Sequence, residues 1–343
     1  SSLFEKIISF ENLFLAWTEF KQGKTQKQDI AVFGAHLEEN ISVLHTDLTR
    51  NNYRHGPYTH FVVRDPKRRD IHKASVRDRL LHHAVVRILT PLFEPRFIFD
   101  SYSSRIGKGL HAAVDRFRTL AWQLSRNNTK RIFVLKCDIR KFFDSVDHSI
   151  LLRLCAARVR DRRALLLLHS IVDSFETVQG KGIPLGNVTS QLFSNIYLAP
   201  FDEFVKRELR IKRYIRYADD FLVLADTKAY AQSLIPKMEA YLGKHLTLSL
   251  HARKIVIRAW HSGVDYLGYV QYPQHRVVRT KTKRRILSKF SREAVECGEG
   301  RTNLEKLNQV RQSYLGIMAH CKGRKVRRQM NRLYFSVRNQ KPL

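Results

Sequence analysis

The sequence predicts an α+β protein with helical ends and a strand-rich middle, and three observations carry that reading. Apolar residues recur at helical spacing near the start (Phe4, Ile7, Ile8, Phe14, Leu15, Trp17, Phe20) and again in segments beyond residue 280. Between them lie short apolar runs of strand length bounded by turn residues, as in residues 131–138 and 212–226. The chain is also strongly basic: 62 Lys and Arg face 31 Asp and Glu over 343 residues, a net charge of +31, with 43% hydrophobic residues. That apolar content excludes a disordered basic tail. The charge points to a polyanionic partner, nucleic acid first and an anionic membrane surface second.

In chain order, residues 3–50 read as helix, interrupted by the polar stretch 22–29. Residues 60–64 read as a strand, 65–70 as a tight basic turn and 71–74 as a returning strand. A helix over 76–89 follows, with Leu80, Leu81, Ala84, Val85 and Ile88 on one face. Residues 131–138 (RIFVLKCD) have a buried-strand pattern ending in Asp138, and 148–172 read as helical. The glycine-rich loop GKGIPLG (180–186) leads into a helix carrying Phe193, Ile196, Tyr197, Phe201 and Phe204. Thr189 or Ser190 is expected to cap it and Pro200 to kink or divide it. Residues 212–226 read as two strands around a turn that holds Asp219 and Asp220. A helix over 228–245 and strands over 246–257 and 264–272 complete the middle. The last 73 residues carry 19 Lys and Arg against 4 acids. Helices there, near 280–296, 303–320 and 324–338, make a small basic subdomain with Tyr314, Tyr334 and Phe335 expected in its core.

Other features close off classes. Cys137, Cys155, Cys297 and Cys321 are scattered, offering neither a disulfide framework nor a zinc knuckle, which suits a reducing cytoplasm. The first residues lack the basic start and long apolar core of a signal peptide. The longest apolar run, near 164–168, is too short for a membrane helix. A cytoplasmic protein with no membrane partner is expected.

Acids are scarce here, so acids inside apolar strands stand out. A carboxylate in apolar surroundings is costly unless paired or bound to a cation, and adjacent acids repel. Mg²⁺ removes both costs and favours a few carboxylates plus phosphate oxygens. Two such ions activate an attacking 3′-oxygen and steady a leaving pyrophosphate. Asp138, Asp219 and Asp220 are the candidate set.

These residues also carry a family resemblance. YADD (217–220) resembles the Tyr-x-Asp-Asp hallmark of reverse transcriptases, and LKCDIRKFFDSVDH (135–148) is similar to the first catalytic motif of that family. GIPLGNVTSQLFSNIYL (182–198) resembles the template- and nucleotide-positioning motif, and HLTLSLHARK (245–254) the motif with a lysine near the leaving pyrophosphate. YLGY (266–269) resembles the primer grip, and KRRDIHKASVRDR (67–79) and SYSSRIGKG (101–109) the fingers motifs of bacterial and group II intron enzymes. The resemblance implies a right-hand polymerase. Its parts would be a helical N-terminal region over 1–54, fingers over 55–130, a palm with an antiparallel sheet over 131–275 and a basic helical thumb over 276–343. Further fingers elements are interleaved around 150–180.

The resemblance also implies roles. Asp138, Asp219, Asp220 and the backbone carbonyl of Ile139 would hold two Mg²⁺ ions, with Mn²⁺ as a substitute. Lys67, Arg68 and Arg69 would hold the triphosphate, Phe143 would exclude a ribose 2′-hydroxyl, and Lys254 would protonate the pyrophosphate. Tyr266, Leu267, Gly268 and Tyr269 would grip the primer. Leu185, Gly186 and Gln191 would line the nucleotide. The plainer alternatives are a core role for Phe143, a surface role for Lys254 and a packing role for Leu185. Most reverse transcriptases have Gln-Gly-x-x-x-Ser-Pro where this chain has LGNVTSQ (185–191). An aliphatic first residue and a final Gln are similar to the diversity-generating retroelement enzymes. Those copy a template RNA into cDNA with frequent errors and work with a small basic helical accessory protein. The compact chain, read as lacking a maturase or endonuclease extension, fits that group. Antiphage defence reverse transcriptases share the compactness, and a catalytically idle, maturase-like RNA-binding protein is a third reading. Expected partners are template RNA, an RNA/DNA duplex, dNTPs and an oligomer of the accessory protein.

Overall fold

Short polar side chains set several of the helix starts. Ser2 caps α1 (Leu3–Ile8) in a reciprocal box with Glu5, and Ser9 caps α2 (Phe10–Lys21). After the polar break come α3 (Gln28–Ala35) and α4 (Leu37–Thr49). Ser75 caps α5 (Val76–Phe93), which takes Pro91 into its last turn. α2 packs on α5 and buries Leu13, Ala16, Trp17 and Phe20 against a face that includes Leu80, Leu81, Ala84 and Val85. The computed structural model describes residues 2–64 and 67–340.

Strands β1 (Thr59–Val63) and β2 (Arg69–Lys73) form an antiparallel hairpin with Thr59 opposite Lys73 and Val63 opposite Arg69. The return strand thus starts earlier than the expected 71–74. Of the expected basic turn, Asp65 and Pro66 lie outside the described residues. After α6 (Leu110–Leu124) come β3 (Phe133–Asp138) and the single turn α7 (Phe142–Ser145). The expected helix over 148–172 is two helices, α8 (His148–Ala156) and α9 (Arg162–Val172). Asp161 causes the break. Its Oδ1 accepts the amides of Arg163 (2.9 Å) and Ala164 (3.2 Å), which starts a new helix there. α10 (Val188–Glu203) begins after Asn187, not at Thr189 or Ser190, both of which are buried inside it. It passes Pro200 without dividing there and continues into a π turn over Phe204–Glu208.

β4 (Tyr214–Tyr217) and β5 (Asp220–Ala225) flank a two-residue turn, and α11 (Lys228–Leu246) follows. The expected strand over 246–257 is mostly absent. Leu246 ends α11, Leu250 makes a single bridge to Ile139, and only β6 (Val256–Ala259) is a strand. The apolar alternation of 246–250 is used to pack the end of α11, not to pair. The four strands lie in the order β4–β5–β3–β6. The expected strand over 264–272 is a hairpin, β7 (Val264–Tyr266) and β8 (Tyr269–Gln271), extended antiparallel by β9 (Arg276–Val278). Three helices close the chain: α12 (Thr280–Gly298), α13 (Leu304–Ala319) and α14 (Arg324–Gln340).

The chain forms two compact units. The first comprises Ser1–Gly109, Lys136–Leu222 and Ser233–Ile255; the second comprises Leu110–Leu135, Val223–Gln232 and Val256–Leu343. In the second, Phe117 sets its ring edge-on to Trp260 (5.4 Å) and Tyr266 (5.8 Å), and α12 packs on α13 and α14. Tyr334 is buried there, as expected, whereas Phe335 is 45% exposed. The helical face that holds Tyr334 inward turns its sequence neighbour outward.

The core of the first unit holds an ion pair. Arg216 is fully buried and grips both oxygens of Asp202 through Nε (2.8 and 3.0 Å) and Nη2 (2.6 Å). The Tyr214 hydroxyl donates to the same carboxylate at 2.7 Å. The other Arg216 donors reach Asn195 Oδ1 (3.3 Å), Ser101 Oγ (3.2 Å) and the carbonyl of Ala218 (3.1 Å). Removing one partner of such a pair strands the other charge. Arg216→Ala is expected to cost about 3–5 kcal/mol of stability in urea unfolding. The double change Arg216→Met with Asp202→Leu should cost less, since it leaves no charge behind. Equal losses would show that the charge itself is not what holds this core.

Candidate active site

Alternation along β3 places Lys136 and Asp138 on one face of the strand, while Leu135 and Cys137 are buried on the other. Asp138 ends β3 and Asp220 begins β5, with Asp219 in the turn between β4 and β5. That turn has Ala218 in the left-handed region at φ +52, a conformation unusual for a residue with a Cβ. The Ala218 carbonyl is held from within by Arg216. From outside, the Ile139 amide donates to the carbonyl of Asp219 at 3.1 Å. Both acids are thereby fixed beside the end of β3.

The stretch before Lys254 runs along the same strand end. The amide of His251 donates to the Asp138 carbonyl (2.8 Å) and that of Arg140 to the Ser249 carbonyl (2.9 Å). This brings Lys254 Nζ to 2.7 Å from Asp138 Oδ1. Burial, together with the negative charges of Asp138 and Asp220, pushes the Asp219 carboxyl up to about 6. Burial also raises Asp220; Lys136 draws it back, Asp138 adds to the rise, and Lys254 and Lys67 oppose it. The structure therefore gathers the three predicted acids and two of the predicted lysines. Among the described residues no three His, Cys, Asp or Glu side chains converge into a ready metal cage, and Asp138 faces Lys254. The donors are nonetheless hard carboxylate oxygens carrying excess negative charge. That suits Mg²⁺, which completes its shell with water and phosphate.

Around the acids, Phe143 on α7 is half-buried, its ring edge-on to Phe142 at 5.4 Å. Its carbonyl accepts the amide of Ile183 at 2.8 Å, which ties α7 to the glycine-rich loop. The loop is tied in turn to β2. The His72 amide donates to the Leu185 carbonyl (3.2 Å), and Asn187 Nδ2 donates to the His72 carbonyl (2.9 Å). Gly186 sits between these bonds at φ +105, where a Cβ would come within 3.0 Å of Ile71 Cγ2. Leu185 is half-buried and Gln191 exposed. Lys67, Arg68 and Arg69 are exposed on the hairpin, and of the three it is Lys67 whose charge is felt at Asp220. Tyr266, Leu267, Gly268 and Tyr269 form the tip of the β7–β8 hairpin in the second unit. Leu267 (φ +49) and Gly268 (φ +89) make the turn, and the Tyr269 hydroxyl donates to the Ile317 carbonyl at 3.0 Å.

Sequence reasoning missed Lys136, although it stands two residues before Asp138 and strand alternation would have found it. It also missed Asn187 and the Arg216–Asp202 pair, whose partners no local pattern connects.

Asp219 carries a pH signature. Its native value, about 6, lies above its ordinary 3.8. Its contribution to stability is present in full below 3.8 and is lost as pH rises through about 6. In metal-free buffer the wild-type melting temperature should fall relative to Asp219→Asn over that window, and added Mg²⁺ above pH 6 should narrow the gap. Parallel melting profiles for the two proteins would contradict the charge load described above.

Comparison with known proteins identifies the family of the chain. Residues 64–271 match the family described as reverse transcriptase (RNA-dependent DNA polymerase). Protein YkfC of Escherichia coli (strain K12) is 26% identical over 291 residues, covering 73% of this chain and 74% of that protein. Group II intron-encoded protein LtrA of Lactococcus lactis subsp. cremoris is 22% identical over 303 residues, covering 68% of this chain and 49% of LtrA. The chain thus spans about half the length of that relative. Among solved structures, apo telomerase from Candida tropicalis truncated from the C-terminal domain aligns with a TM-score of 0.48 at 12% identity. That alignment covers 71% of this chain and 60% of the other. Among the described residues no helix is long and apolar enough to cross a membrane. With a family match over more than half its length and the Tyr-Ala-Asp-Asp turn set against the end of β3, the chain belongs to the reverse transcriptase family.

Proposed function

We propose that this chain is an RNA-directed DNA polymerase that copies an RNA template into cDNA. The observation that carries the reading is the gathering of Asp138, Asp219 and Asp220 at one strand end, with Asp219 pushed up to about 6 by burial and by its acidic neighbours. Asp138, Asp219, Asp220 and the Ile139 carbonyl would hold two Mg²⁺ ions. When bound, the ions would neutralise the acids and stabilise the charge that develops between the primer 3′-oxygen and the leaving pyrophosphate. The protein side chains do the rest. Arg69, with Lys67 or Arg68 nearby, would hold the triphosphate from the hairpin; guanidinium forks suit phosphate oxygens. Phe143, half-buried five residues after Asp138, would clash with a 2′-hydroxyl. Lys254, held against Asp138, would pass a proton to pyrophosphate. In this reading residues 55–130 and parts of 150–180 act as fingers, 131–275 as palm and the basic helices after 276 as a thumb on the duplex backbone.

The test is primer extension on an RNA template with dNTPs and Mg²⁺. Asp219→Ala and Asp220→Ala should each reduce incorporation by several orders of magnitude while circular dichroism and melting stay native-like. Full activity in the double variant would reject the assignment.

The finer reading is an error-prone enzyme of a diversity-generating retroelement, supported by Leu185 and Gln191 at the ends of LGNVTSQ. A leucine cannot make the hydrogen bond of an amide, so discrimination there rests on shape alone. Leu185→Gln should lower the misincorporation frequency in sequenced cDNA several-fold. An unchanged error spectrum would leave Leu185 as a packing residue and remove the main support for the retroelement reading.

A further inference from the structure

The elbow between α8 and α9 carries charge that the polymerase site does not use. Five arginines fall within residues 153–163. One is engaged: Arg163 donates to the Thr49 carbonyl at 3.1 Å and lies over the Phe4 ring at 4.1 Å. Arg153, Arg158, Arg160 and Arg162 are exposed, and none of them has an acidic partner among the described residues. The acid in their midst is already taken up. Asp161 Oδ1 caps α9, and its Oδ2 accepts the Phe4 amide at 2.7 Å. Ser149, Ala156 and Ala157 are exposed beside the arginines and short enough to let a bulky backbone come close. α8 starts at the catalytic end, where Asp147 bridges to Lys181. Its nine residues then carry the chain about 13 Å away before the elbow.

We infer that the α8–α9 elbow is a second RNA-binding surface, which holds the phosphate backbone of a structured part of the RNA lying outside the catalytic duplex. Four unpaired guanidinium groups on both sides of a sharp turn suit phosphates spaced along a backbone. Leu166 is the one large apolar side chain of the region that is strongly exposed, at 55%, so the elbow lacks the apolar face with which a membrane-surface helix inserts. The inference rests on RNA being the molecule this chain handles.

The test uses the full chain with Arg153, Arg158, Arg160 and Arg162 all changed to Ala, and two primed RNA templates. One carries a stable hairpin beyond the primer duplex, and the other is trimmed of it. The variant should bind and extend the trimmed template as wild type does. On the hairpin template it should lose at least about tenfold in affinity, and the log–log salt slope should become shallower by about 3. Unchanged hairpin binding would overturn the inference. So would an equal loss on both templates, which would place the arginines in the cleft or the fold. Loss of binding to phosphatidylserine vesicles with RNA binding intact would make the elbow a membrane surface and overturn it too. If neither protein extends a primer but hairpin affinity still drops, the polymerase reading fails and the RNA surface stands.

Discussion

The buried pair between Arg216 and Asp202 is the interaction on which the candidate site depends. Two adjacent acids in a two-residue turn repel each other and the acid on the neighbouring strand. The turn also places Ala218 at φ +52, which costs of order 1–2 kcal/mol for a residue with a Cβ. Left to itself such a turn would relax. Arg216 prevents this by using one planar group for two tasks. Nε and Nη2 are neutralised by Asp202, while Nη1 holds the carbonyl of Ala218 at 3.1 Å. Its backbone is fixed as well, through the Asp100 carbonyl and the Tyr102 amide, both at 2.9 Å. Lysine has no second arm with which to do this, so the position calls for a guanidinium.

Electrostatics then arranges the rest of the first unit. In a chain of net charge +31, a cluster of acids is attractive to nearby cations, and three lysines from three separate elements answer it. Lys136 comes from β3, Lys67 from the β1–β2 hairpin, and Lys254 from the segment after α11. Lys254 forms a close ion pair, at 2.7 Å with Asp138. Asp219 is left the least compensated, and its raised value follows. Part of the charge of the site is thus balanced by side chains, while Asp219 retains a demand that a cation meets better than a proton does.

How much of this could be read from the residues follows from the range of the forces involved. Local signals were legible. Apolar spacing marked α2, α5 and α10, the two-residue turn marked the acids, and ordered motifs marked the family. Signals that depend on a competing cap were not. Nothing in the period of 148–172 shows that Asp161 will start a new helix, because the arginines around it read as helix formers. Residues 246–250 alternate like a strand, yet they lie against the end of α11 and make one bridge only. Long-range polar pairing was least visible. Asp202 and Arg216 are separated by a π turn and a strand start, and each looks like a surface charge in isolation. The registers of Leu185 and His72 similarly become known only when β2 and the loop are seen together.

That last contact explains how position 185 can vary without loss of architecture. The loop is held to β2 by main-chain groups, Leu185 carbonyl to His72 amide, and by the side chain of Asn187 two residues on. Neither bond uses the side chain at 185. Gly186 supplies the backbone conformation that lets both form, and its missing Cβ leaves room for Ile71. The backbone geometry of the loop is therefore set by residues 186 and 187 and by β2. In the proposed reading, residue 185 would contribute only what its side chain presents to the ligand, an amide in most of the family and an aliphatic surface here. A change of chemistry at that one point would then alter discrimination while the scaffold stays in place. Under that reading fidelity would be adjustable in a fold whose proposed catalytic acids, set in the strained turn beside β3, have no comparable freedom.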